Sequence, residues 1–436
     1  MPIKPPSPPL GRERDESVRI DRIGAEGDGV ATAADGTRLY VPLTLPGETV
    51  LVRRTAKRGD GVAAVCESVV LPSTERGAPP CPHFGTCGGC ALQHWQEAPY
   101  RAWKAGLLAA ALRRAGYEAA LLPLVAVPAA TRRRMDFAVR RMGAVVRLGL
   151  HVARGRDVID LQDCAVLHPA LAALLAPLRL VLARLSALRR EAALVANLLD
   201  TGPDLLLRTD AAFSAADRAR LADFARSHGV PRVAWAAGDA APEIAAQLGP
   251  ARIALAGVNV TPPPGAFLQA AAEGEASIIA AVLAALPAPL PPRARIVELF
   301  AGCGTLTFPL AAAARVAAFE GDAAAVAALA AAANQGGLAG RIAARCRDLA
   351  RQPLAAAELA GAACVVLDPP HAGAAAQVAQ IAASGVPRVV YVSCHPGALA
   401  RDAAVLRGAG YRLLFAQPID QFRWSARLES VVAFAR

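Results

Sequence analysis

Three cysteines lie within ten residues in the stretch CPHFGTCGGC, at Cys81, Cys87 and Cys90. A fourth, Cys164 in LQDCAVLHP, lies farther along the chain. Four thiolates, three of them local, suit an iron–sulfur cluster. A zinc ion held by four thiolates is the alternative, although structural zinc sites usually pair two C-x2-C motifs and this stretch has one.

Another cysteine could act as a nucleophile. Cys394 in RVVYVSCHPGALARD follows an apolar, β-branched run and precedes a proline and a helical pattern. A thiol near a helix N-terminus has its thiolate favoured by the helix dipole and the backbone N–H groups. We expect the remaining cysteines to be small buried hydrophobic residues, namely Cys66, Cys303, Cys346 and Cys364.

The stretch RIVELFAGCGTLTFPLA predicts a strand, a glycine turn at Gly302 and Gly304, and the start of a helix. Glycine lets a backbone approach a ligand closely at the carboxyl end of a strand. Glu320 ends the next strand, VAAFE, where a carboxylate can accept hydrogen bonds from ribose hydroxyls. Asp368 in CVVLDPPHAG is expected at the same edge of the sheet. The turn therefore predicts a nucleoside cofactor, although Thr307 replaces the third glycine of a dinucleotide fingerprint.

These residues need a sheet to position them, and the pattern from residue 295 onward alternates strand and helix. It predicts a doubly wound α/β sheet of about seven strands. Short β-branched runs over 17–75 predict an OB-like barrel, a common nucleic-acid module. A helix is expected over 97–116, and β hairpins carrying several arginines over 132–162. These arginines either line a groove for phosphates or form a solvated strand face.

The net charge indicates the class of molecule that the protein binds. The 436 residues carry a formal net charge of +11, with a pI near 9.6, which favours a polyanion such as RNA. The first residues, MPIKPPSPPLGRERDE, lack the apolar segment of a signal peptide, so we expect a disordered lead and a cytoplasmic protein. We find no uninterrupted apolar run of about 18 residues, so we expect no membrane partner. No obligate protein partner is expected.

The motifs resemble, in order and spacing, those of the RNA uracil-C5 methyltransferases, closest to the iron–sulfur branch that acts on 23S ribosomal RNA. The matching segments are GAFLQ (265–269), ELFAGCG, LDPP, VYVSCHP and the C-terminal LES, together with the barrel and the cysteines. ELFAGCG also resembles the first motif of class I S-adenosylmethionine (SAM) methyltransferases. The resemblance implies a disordered lead (1–16), a TRAM-type or OB-like β-barrel (17–75), a central α+β RNA-binding domain with the cluster (76–264), and a Rossmann-like methyltransferase domain (265–436).

The resemblance also implies roles for single residues. Cys394 matches the nucleophile that adds to C6 of uracil, and Glu429 matches the general base that removes the C5 proton. The positions that match cofactor contacts are Gln269, Phe300, Gly302, Gly304, Thr305, Glu320, Asp348 and Asp368. The four cysteines Cys81, Cys87, Cys90 and Cys164 match the ligands of a [4Fe–4S] cluster. Four departures concern fine geometry: Ala271 replaces an asparagine, and His395, Arg427 and Thr305 differ from the commoner residues.

The expected activity is therefore SAM-dependent methylation of uridine C5 in 23S ribosomal RNA. Three alternatives remain open at this stage. They are the same chemistry on transfer RNA, a catalytically inactive RNA-binding assembly factor, and an iron–sulfur redox protein. Intact Cys394 and Glu429 argue against the second, and the missing third glycine argues against the third.

Overall fold

The computed structural model describes residues 15–118 and 120–436, which divide into two units. The described part of the first unit runs to Lys104 and includes Trp424–Arg427. The second unit comprises Ala105–Arg423 and Leu428–Arg436. Residues 1–14 of the predicted lead lie outside the described residues. The four-domain division by function stays a prediction.

The alternating apolar pattern near the N-terminus folds into a closed barrel with the strand order β1-β2-β3-β5-β4. Every second side chain points inward, so residues such as Val18, Ile20, Leu39 and Val50 form its core. Closure leaves no unpaired strand edge. The predicted barrel is confirmed, and it already begins at residue 16. Its strands are β1 (Glu16–Ile23), β2 (Gly29–Thr32), β3 (Arg38–Val41), β4 (Thr49–Arg58) and β5 (Gly61–Leu71).

The first unit also contains the cysteine loop, the start of helix α1 (Glu97–Arg114) and the returning segment Trp424–Arg427. The carbonyl oxygen of Trp424 accepts the backbone N–H of Leu92 at 3.1 Å. Its own backbone N–H donates to the Tyr100 hydroxyl at 2.7 Å. The buried Lys104 ammonium donates to the Arg427 carbonyl. This segment is therefore fixed by α1 and by the residues that follow the cysteines.

The central part of the second unit is a six-stranded sheet with the order β12-β11-β10-β9-β7-β8. The hairpin expected over 132–162 is confirmed as β7 paired with β8. The elements of this part are β6 (Val125–Ala126), β7 (Arg134–Met142), β8 (Val145–Gly149), α2 (Pro169–Ala172), α3 (Leu175–Ala183), β9 (Glu191–Leu199), β10 (Gly202–Thr209), α4 (Ala215–His228), β11 (Arg232–Ala237), β12 (Glu243–Gln247), β13 (Ile253–Leu255) and β14 (Val258–Val260).

The C-terminal part is an eight-stranded sheet with the order β17-β16-β15-β18-β19-β21-β20-β6. All seven strands predicted after residue 295 are present, and β6 adds an eighth. The remaining elements are α5 (Ala272–Ala285), β15 (Arg295–Leu299), α6 (Thr307–Ala313), β16 (Arg315–Glu320), α7 (Ala323–Gln335), β17 (Ile342–Cys346), α8 (Ala356–Leu359), β18 (Cys364–Leu367), α9 (Ala375–Ser384), β19 (Arg388–Ser393), α10 (Pro396–Gly408), β20 (Arg412–Asp420) and β21 (Glu429–Ala435).

The central strands of this sheet are buried on both faces. β18 (CVVL) is buried throughout, and β19 (RVVYVS) is buried except for its first residue. Parallel strands covered by helices on both sides read as continuous apolar runs, as these do. β21 pairs antiparallel with both β19 and β20. No helix formed by the described residues is long and apolar enough to span a bilayer.

The arginines of the hairpin are engaged within the protein. Arg141 donates to the carbonyls of Leu182, Ala183 and Leu185 at the end of α3, and Arg140 pairs with two carboxylates. Arg133 is buried. Of the two alternatives left open for this series, a groove for phosphates does not describe Arg133 and Arg141, whose guanidinium groups are engaged inside the fold. Their positive charges satisfy carbonyls and acids of the fold.

Arg133 ties the central sheet to the segment that carries Gln269. Its backbone N–H donates to the Ala270 carbonyl at 2.8 Å, and its Nε donates to the Gln269 carbonyl at 3.2 Å. Its guanidinium also pairs with Glu275 at 2.6 Å, with both side chains about nine-tenths buried. Burial raises the pKa of Glu275, and the charge of Arg133 opposes that rise.

Replacing Arg133 with methionine should destabilise the fold, because Glu275 would remain buried without its cation. Breaking one side of a buried ion pair costs about 3–5 kcal/mol. Urea denaturation of the full chain measures this loss. The double variant with Glu275→Met should recover much of it. A single variant as stable as the unchanged protein would contradict the assignment of this pair.

Candidate active site at the carboxyl edge of the C-terminal sheet

The register of the sheet brings the predicted residues to one edge. Leu299 of β15 pairs with Phe319 of β16 on one side and with Leu367 of β18 on the other. The next residues along these strands lie side by side at the edge, in the order Glu320, Phe300 and Asp368. The carboxyl ends of parallel strands are where open α/β sheets bind ligands.

The glycine turn after β15 is built around Glu320. The backbone N–H groups of Gly302 and Asp322 each donate to one of its carboxylate oxygens at 2.9 Å. Gly302 has φ +54°, and a Cβ added there would meet no atom within 4 Å. The turn is therefore open on the side where a ligand would lie. Each Glu320 oxygen has a further lone pair, so the carboxylate can also accept a ribose hydroxyl.

Two other residues of this turn adopt left-handed backbone conformations. Gly304 has φ +106°, and a Cβ there would lie 2.5 Å from the ring of Phe308, so no larger residue fits. Phe300 has φ +63°, which is costly for a bulky residue and is typical of ligand-binding turns. Thr305 follows the turn and is half-buried. These features fit a nucleoside cofactor.

Asp348 lies beside this turn, beyond the end of β17. The backbone N–H of Arg347 donates to the Glu320 carbonyl at 2.7 Å. A Cβ on Gly321 would lie 3.8 Å from the Asp348 Cα. The Asp348 carboxylate is exposed and accepts the backbone N–H groups of Ala350 and Arg351. The structure therefore brings Asp348 close to Glu320, as the cofactor expectation requires.

A chain of side-chain hydrogen bonds occupies the other half of the edge. Gln269 donates through Nε2 to Asp368 Oδ2 at 3.0 Å, and its Oε1 accepts from Gln421 Nε2 at 2.8 Å. Gln421 Nε2 also donates to Glu429 Oε2 at 2.8 Å. The three predicted residues Gln269, Asp368 and Glu429 are thus brought together. Gln421, which links two of them, was not predicted.

The two carboxyl groups of this chain have raised pKa values. Burial raises the pKa of Asp368, and the hydrogen bond from Gln269 opposes the rise. Burial also raises the pKa of Glu429, and the charge of Asp368 adds to it. A carboxylate with a raised pKa is a stronger base than an exposed one, which suits it to proton abstraction near neutral pH.

Glu298 on β15 is a second residue that sequence reasoning missed. It is buried, and burial raises its pKa to about 8, with the charges of Asp368 and Glu320 adding to the rise. Among the described residues, its Oε2 meets no hydrogen-bond donor. A signal was present in the sequence, because an acid inside a buried parallel strand is rare. It lies in RIVEL, directly before the glycine turn.

Cys394 lies at the point where β19 meets β21. Ser393, the last residue of β19, pairs with Ser430 of β21 in antiparallel register. Cys394 follows Ser393 and Glu429 precedes Ser430, so the thiol and the carboxylate lie at neighbouring strand ends on the same edge of the sheet. Cys394 is half-buried and comes two residues before the start of α10. The structure therefore brings the predicted nucleophile and the predicted base together.

The turn around Cys394 is held by several contacts. The Ser430 hydroxyl donates to the Ser393 carbonyl at 3.3 Å, and the backbone N–H of His395 donates to the Ser393 hydroxyl at 3.2 Å. The rings of His395 and His371 stack with centroids 4.0 Å apart. Of the other cysteines, Cys303 and Cys364 are buried as expected, Cys66 is half-buried, and Cys346 is exposed.

The cysteines predicted to bind a metal fall in different units. Cys81, Cys87 and Cys90 are half-buried in the first unit, and Cys164 is half-buried in the second. Within the loop, the backbone N–H of Gly89 donates to the Cys87 sulfur at 3.5 Å. Over residues 15–118 and 120–436, the structure has no group of three or more His, Cys, Asp or Glu side chains arranged to hold a metal ion. The metal assignment therefore stays a prediction.

Comparison with known proteins gives three relevant similarities, while no protein-family model matches the chain. An "uncharacterized RNA methyltransferase" of Caulobacter vibrioides is 40% identical over 432 residues, covering 97% of this chain and 100% of that protein. The "23S rRNA (uracil(1939)-C(5))-methyltransferase RlmD" of Chromohalobacter salexigens is 35% identical, covering 97% of this chain and 89% of that protein.

The third similarity is to a solved structure. The tRNA (uracil-54, C5)-methyltransferase of Pyrococcus abyssi, in complex with S-adenosyl-L-homocysteine, matches with a TM-score of 0.70 and 18% identity. The match covers 97% of this chain and 100% of that chain. At this identity the likeness is one of fold, and it confirms the predicted fold class.

Glu320→Ala should weaken binding of S-adenosylhomocysteine, because the turn loses the acceptor for two backbone N–H groups and for the ribose. Hydrogen bonds to a charged group contribute enough to predict a loss of about tenfold to a hundredfold in affinity. Isothermal titration calorimetry measures it. Glu243→Ala, an exposed acid of β12, is the control and should bind unchanged. Equal affinities for both variants would contradict the role of Glu320.

Proposed function

Because this chain belongs to the RNA uracil-C5 methyltransferase family, we propose that it methylates C5 of a uridine in 23S ribosomal RNA. The observation that carries this proposal is the pairing of Ser393 with Ser430, which brings the neighbouring residues Cys394 and Glu429 to the same ends of β19 and β21. Glu429 is also linked through Gln421 and Gln269 to Asp368. SAM, when bound, supplies an electrophilic methyl group. The target uridine must leave its stack to reach this edge.

Cys394 is proposed to start the reaction as a thiolate. Its sulfur adds to C6 of uracil, and the electron pair of the C5–C6 double bond makes C5 an enolate-like nucleophile. Uracil C5 has too little nucleophilicity to accept a methyl group without this step. The position of Cys394 before α10 supports the role, because the helix N-terminus favours a negative charge.

Glu429 is proposed to complete the reaction. Once C5 carries the methyl group, the carboxylate removes the C5 proton. The electron pair of the C5–H bond re-forms the C5–C6 double bond, the bond from C6 to sulfur breaks, and Cys394 leaves as a thiolate. The raised pKa of Glu429 supports this role, because it brings the carboxyl closer to the basicity that proton removal requires.

The cofactor is proposed to lie along the glycine turn. Glu320 would accept the ribose hydroxyls, and Asp348 lies close enough to contact the nucleoside. Phe300, Gly302, Gly304 and Thr305 would line the turn. Asp368 and Gln269 are proposed to lie between cofactor and uracil, since they connect Glu320's half of the edge with Glu429's half.

Ribosomal RNA is the proposed substrate because the relative from Chromohalobacter salexigens carries a 23S ribosomal RNA name. Transfer RNA is the alternative, favoured by the name of the solved protein from Pyrococcus abyssi. The net charge of +11 supports either RNA. We also propose that the protein works in the cytoplasm, because its proposed substrate is RNA.

A [4Fe–4S] cluster on Cys81, Cys87, Cys90 and Cys164 is proposed from the chemistry of its donors. Thiolates are the usual ligands of such clusters, and hydrogen bonds to the sulfur, such as that from Gly89, accompany them. The described residues form no metal-holding group. A TRAM-type identity for the N-terminal barrel is likewise part of the proposal.

Complementation of a strain that lacks the gene tests both mechanism and substrate. The unchanged gene should restore 5-methyluridine to purified 23S ribosomal RNA, measured by nucleoside mass spectrometry, whereas Cys394→Ala and Glu429→Gln should not. Cys346→Ala, an exposed cysteine, is the control and should restore it. Restoration in transfer RNA alone would overturn the substrate. Full activity of Cys394→Ala would overturn the nucleophile.

Anaerobic purification tests the cluster. We expect about four iron atoms and four acid-labile sulfides per chain, which is the composition of a [4Fe–4S] cluster. Cys87→Ser should lose them, and Cys346→Ser should keep them. One zinc ion per chain without sulfide would show that these cysteines bind zinc and not a cluster. A metal-free protein would contradict both assignments.

A further inference from the structure

Gln421 is the buried residue that joins the two halves of the proposed catalytic network. It follows the end of β20 and is 5% exposed. Both of its amide hydrogen bonds come from Nε2, to Glu429 Oε2 and to Gln269 Oε1, each at 2.8 Å. The NH2 group has two protons, so one amide satisfies both acceptors.

When Asp368 and Glu429 are both ionised, they fix the direction of every hydrogen bond in this series of side chains. Ionised Asp368 and Glu429 can only accept. Gln269 must therefore turn its Nε2 toward Asp368, which leaves its Oε1 as an acceptor for Gln421. Gln421 must then turn its Nε2 toward both Gln269 and Glu429. The two glutamines thus have one consistent orientation, set by the two carboxylates.

This arrangement distinguishes the two oxygens of Glu429. Oε2 is occupied by Gln421, whereas Oε1 is buried and meets no hydrogen-bond donor within residues 15–118 and 120–436. A buried acceptor without a donor is costly and is retained where it has a task. Oε1 is therefore the oxygen left to receive a proton.

Packing leaves Gln421 little room to move. A Cβ added to Gly274 of α5 would lie 2.8 Å from both the Cβ and the Oε1 of Gln421. Only glycine at position 274 allows the side chain to lie as it does. On β20, two residues before Gln421, Ile419 pairs directly with Glu429, which fixes the approach of Gln421 to the carboxylate.

We propose that Gln421 is a positioning residue for proton removal: its amide holds Glu429 by Oε2 and leaves Oε1 directed at the C5 proton of the bound uracil. This inference rests on the proposed function. The donor also stabilises the carboxylate form of Glu429, which is the form that accepts the proton. Through Gln269, the same amide keeps Glu429 in register with Asp368.

Gln421 would act in the last step of the proposed reaction, the loss of the C5 proton and release of Cys394. This step needs no further reactant. The C5 proton passes to Glu429 Oε1, the C5–H electron pair re-forms the C5–C6 double bond, and Cys394 leaves C6 with the pair of the broken bond. Loss of Gln421 should therefore slow release from the covalent RNA adduct. Formation of the adduct and transfer of the methyl group should be much less affected.

The experiment compares Gln421→Met with Gln417→Met, using the full-length protein and an RNA substrate labelled with tritium at uridine C5. Methionine keeps the length of the side chain and removes its donor. Gln417 lies on β20, four residues before Gln421, and its amide donates to the Pro123 carbonyl, away from the network. Tritium release under single-turnover conditions and the methylated protein–RNA adduct on denaturing gels are measured together.

For Gln421→Met we expect tritium release to slow by about tenfold or more, a fraction of the effect of a positioned general base. The methylated adduct should accumulate, and substituting deuterium at C5 should slow release further. Gln417→Met should behave as the unchanged protein. Equal loss of methyl transfer and release in Gln421→Met would mean a purely structural role and would overturn the proposal, as would unchanged release.

Gly274→Ala provides a second route if Gln421→Met does not fold. Alanine is favourable in a helix, so the change acts by displacing Gln421. The same accumulation of adduct is expected, and normal release would overturn the inference. Glu429→Gln separates failure of this inference from failure of the proposed function. If neither Glu429→Gln nor the unchanged enzyme forms an adduct with the RNA, the covalent mechanism itself is wrong.

Discussion

Two carboxyl groups, the half-buried Asp368 and the buried Glu429, share one edge of the C-terminal sheet, and the rest of the site is arranged around the cost of holding them there. A carboxylate removed from water without donors is strongly destabilised. Asp368 and Glu429 are each given one side-chain donor, from Gln269 and Gln421. These donors do not fully offset the loss of hydration, so the pKa values of both carboxyl groups are raised. A raised pKa is the property that a carboxylate needs to act as a general base near neutral pH.

The other parts of the second unit support this edge. The central sheet holds the Gln269 segment through Arg133, and Asn197 adds a hydrogen bond to the Ala266 carbonyl at 2.9 Å. On the far side of Asp368, Asp402 accepts the backbone N–H of Ala374 and the Tyr391 hydroxyl, which braces the loop after LDPP. The side chains proposed to react are thereby held by rigid elements, which would limit the reorganisation needed for the proposed reaction.

The sequence was sufficient to predict those strands, helices and site residues that short stretches of the chain specify by themselves. Apolar runs ending in Gly, Asp or Cys predicted the strands of the sheet and the residues at their carboxyl ends. Gln421 could not be found in this way, because it meets Gln269 across 152 positions of the chain. The role of the arginines stayed open between two alternatives, since a run of Arg133 and its neighbours looks the same whether it faces phosphates, solvent or buried acids.

The most direct measurement is mass spectrometry of the product formed with an RNA that carries 5-fluorouridine at the target position. Fluorine at C5 cannot be removed as a proton, so the reaction should stop after methyl transfer. The account predicts a stable protein–RNA adduct that carries the added methyl group and maps to the peptide containing Cys394. An adduct on another residue, or methylation with no adduct at all, would contradict it.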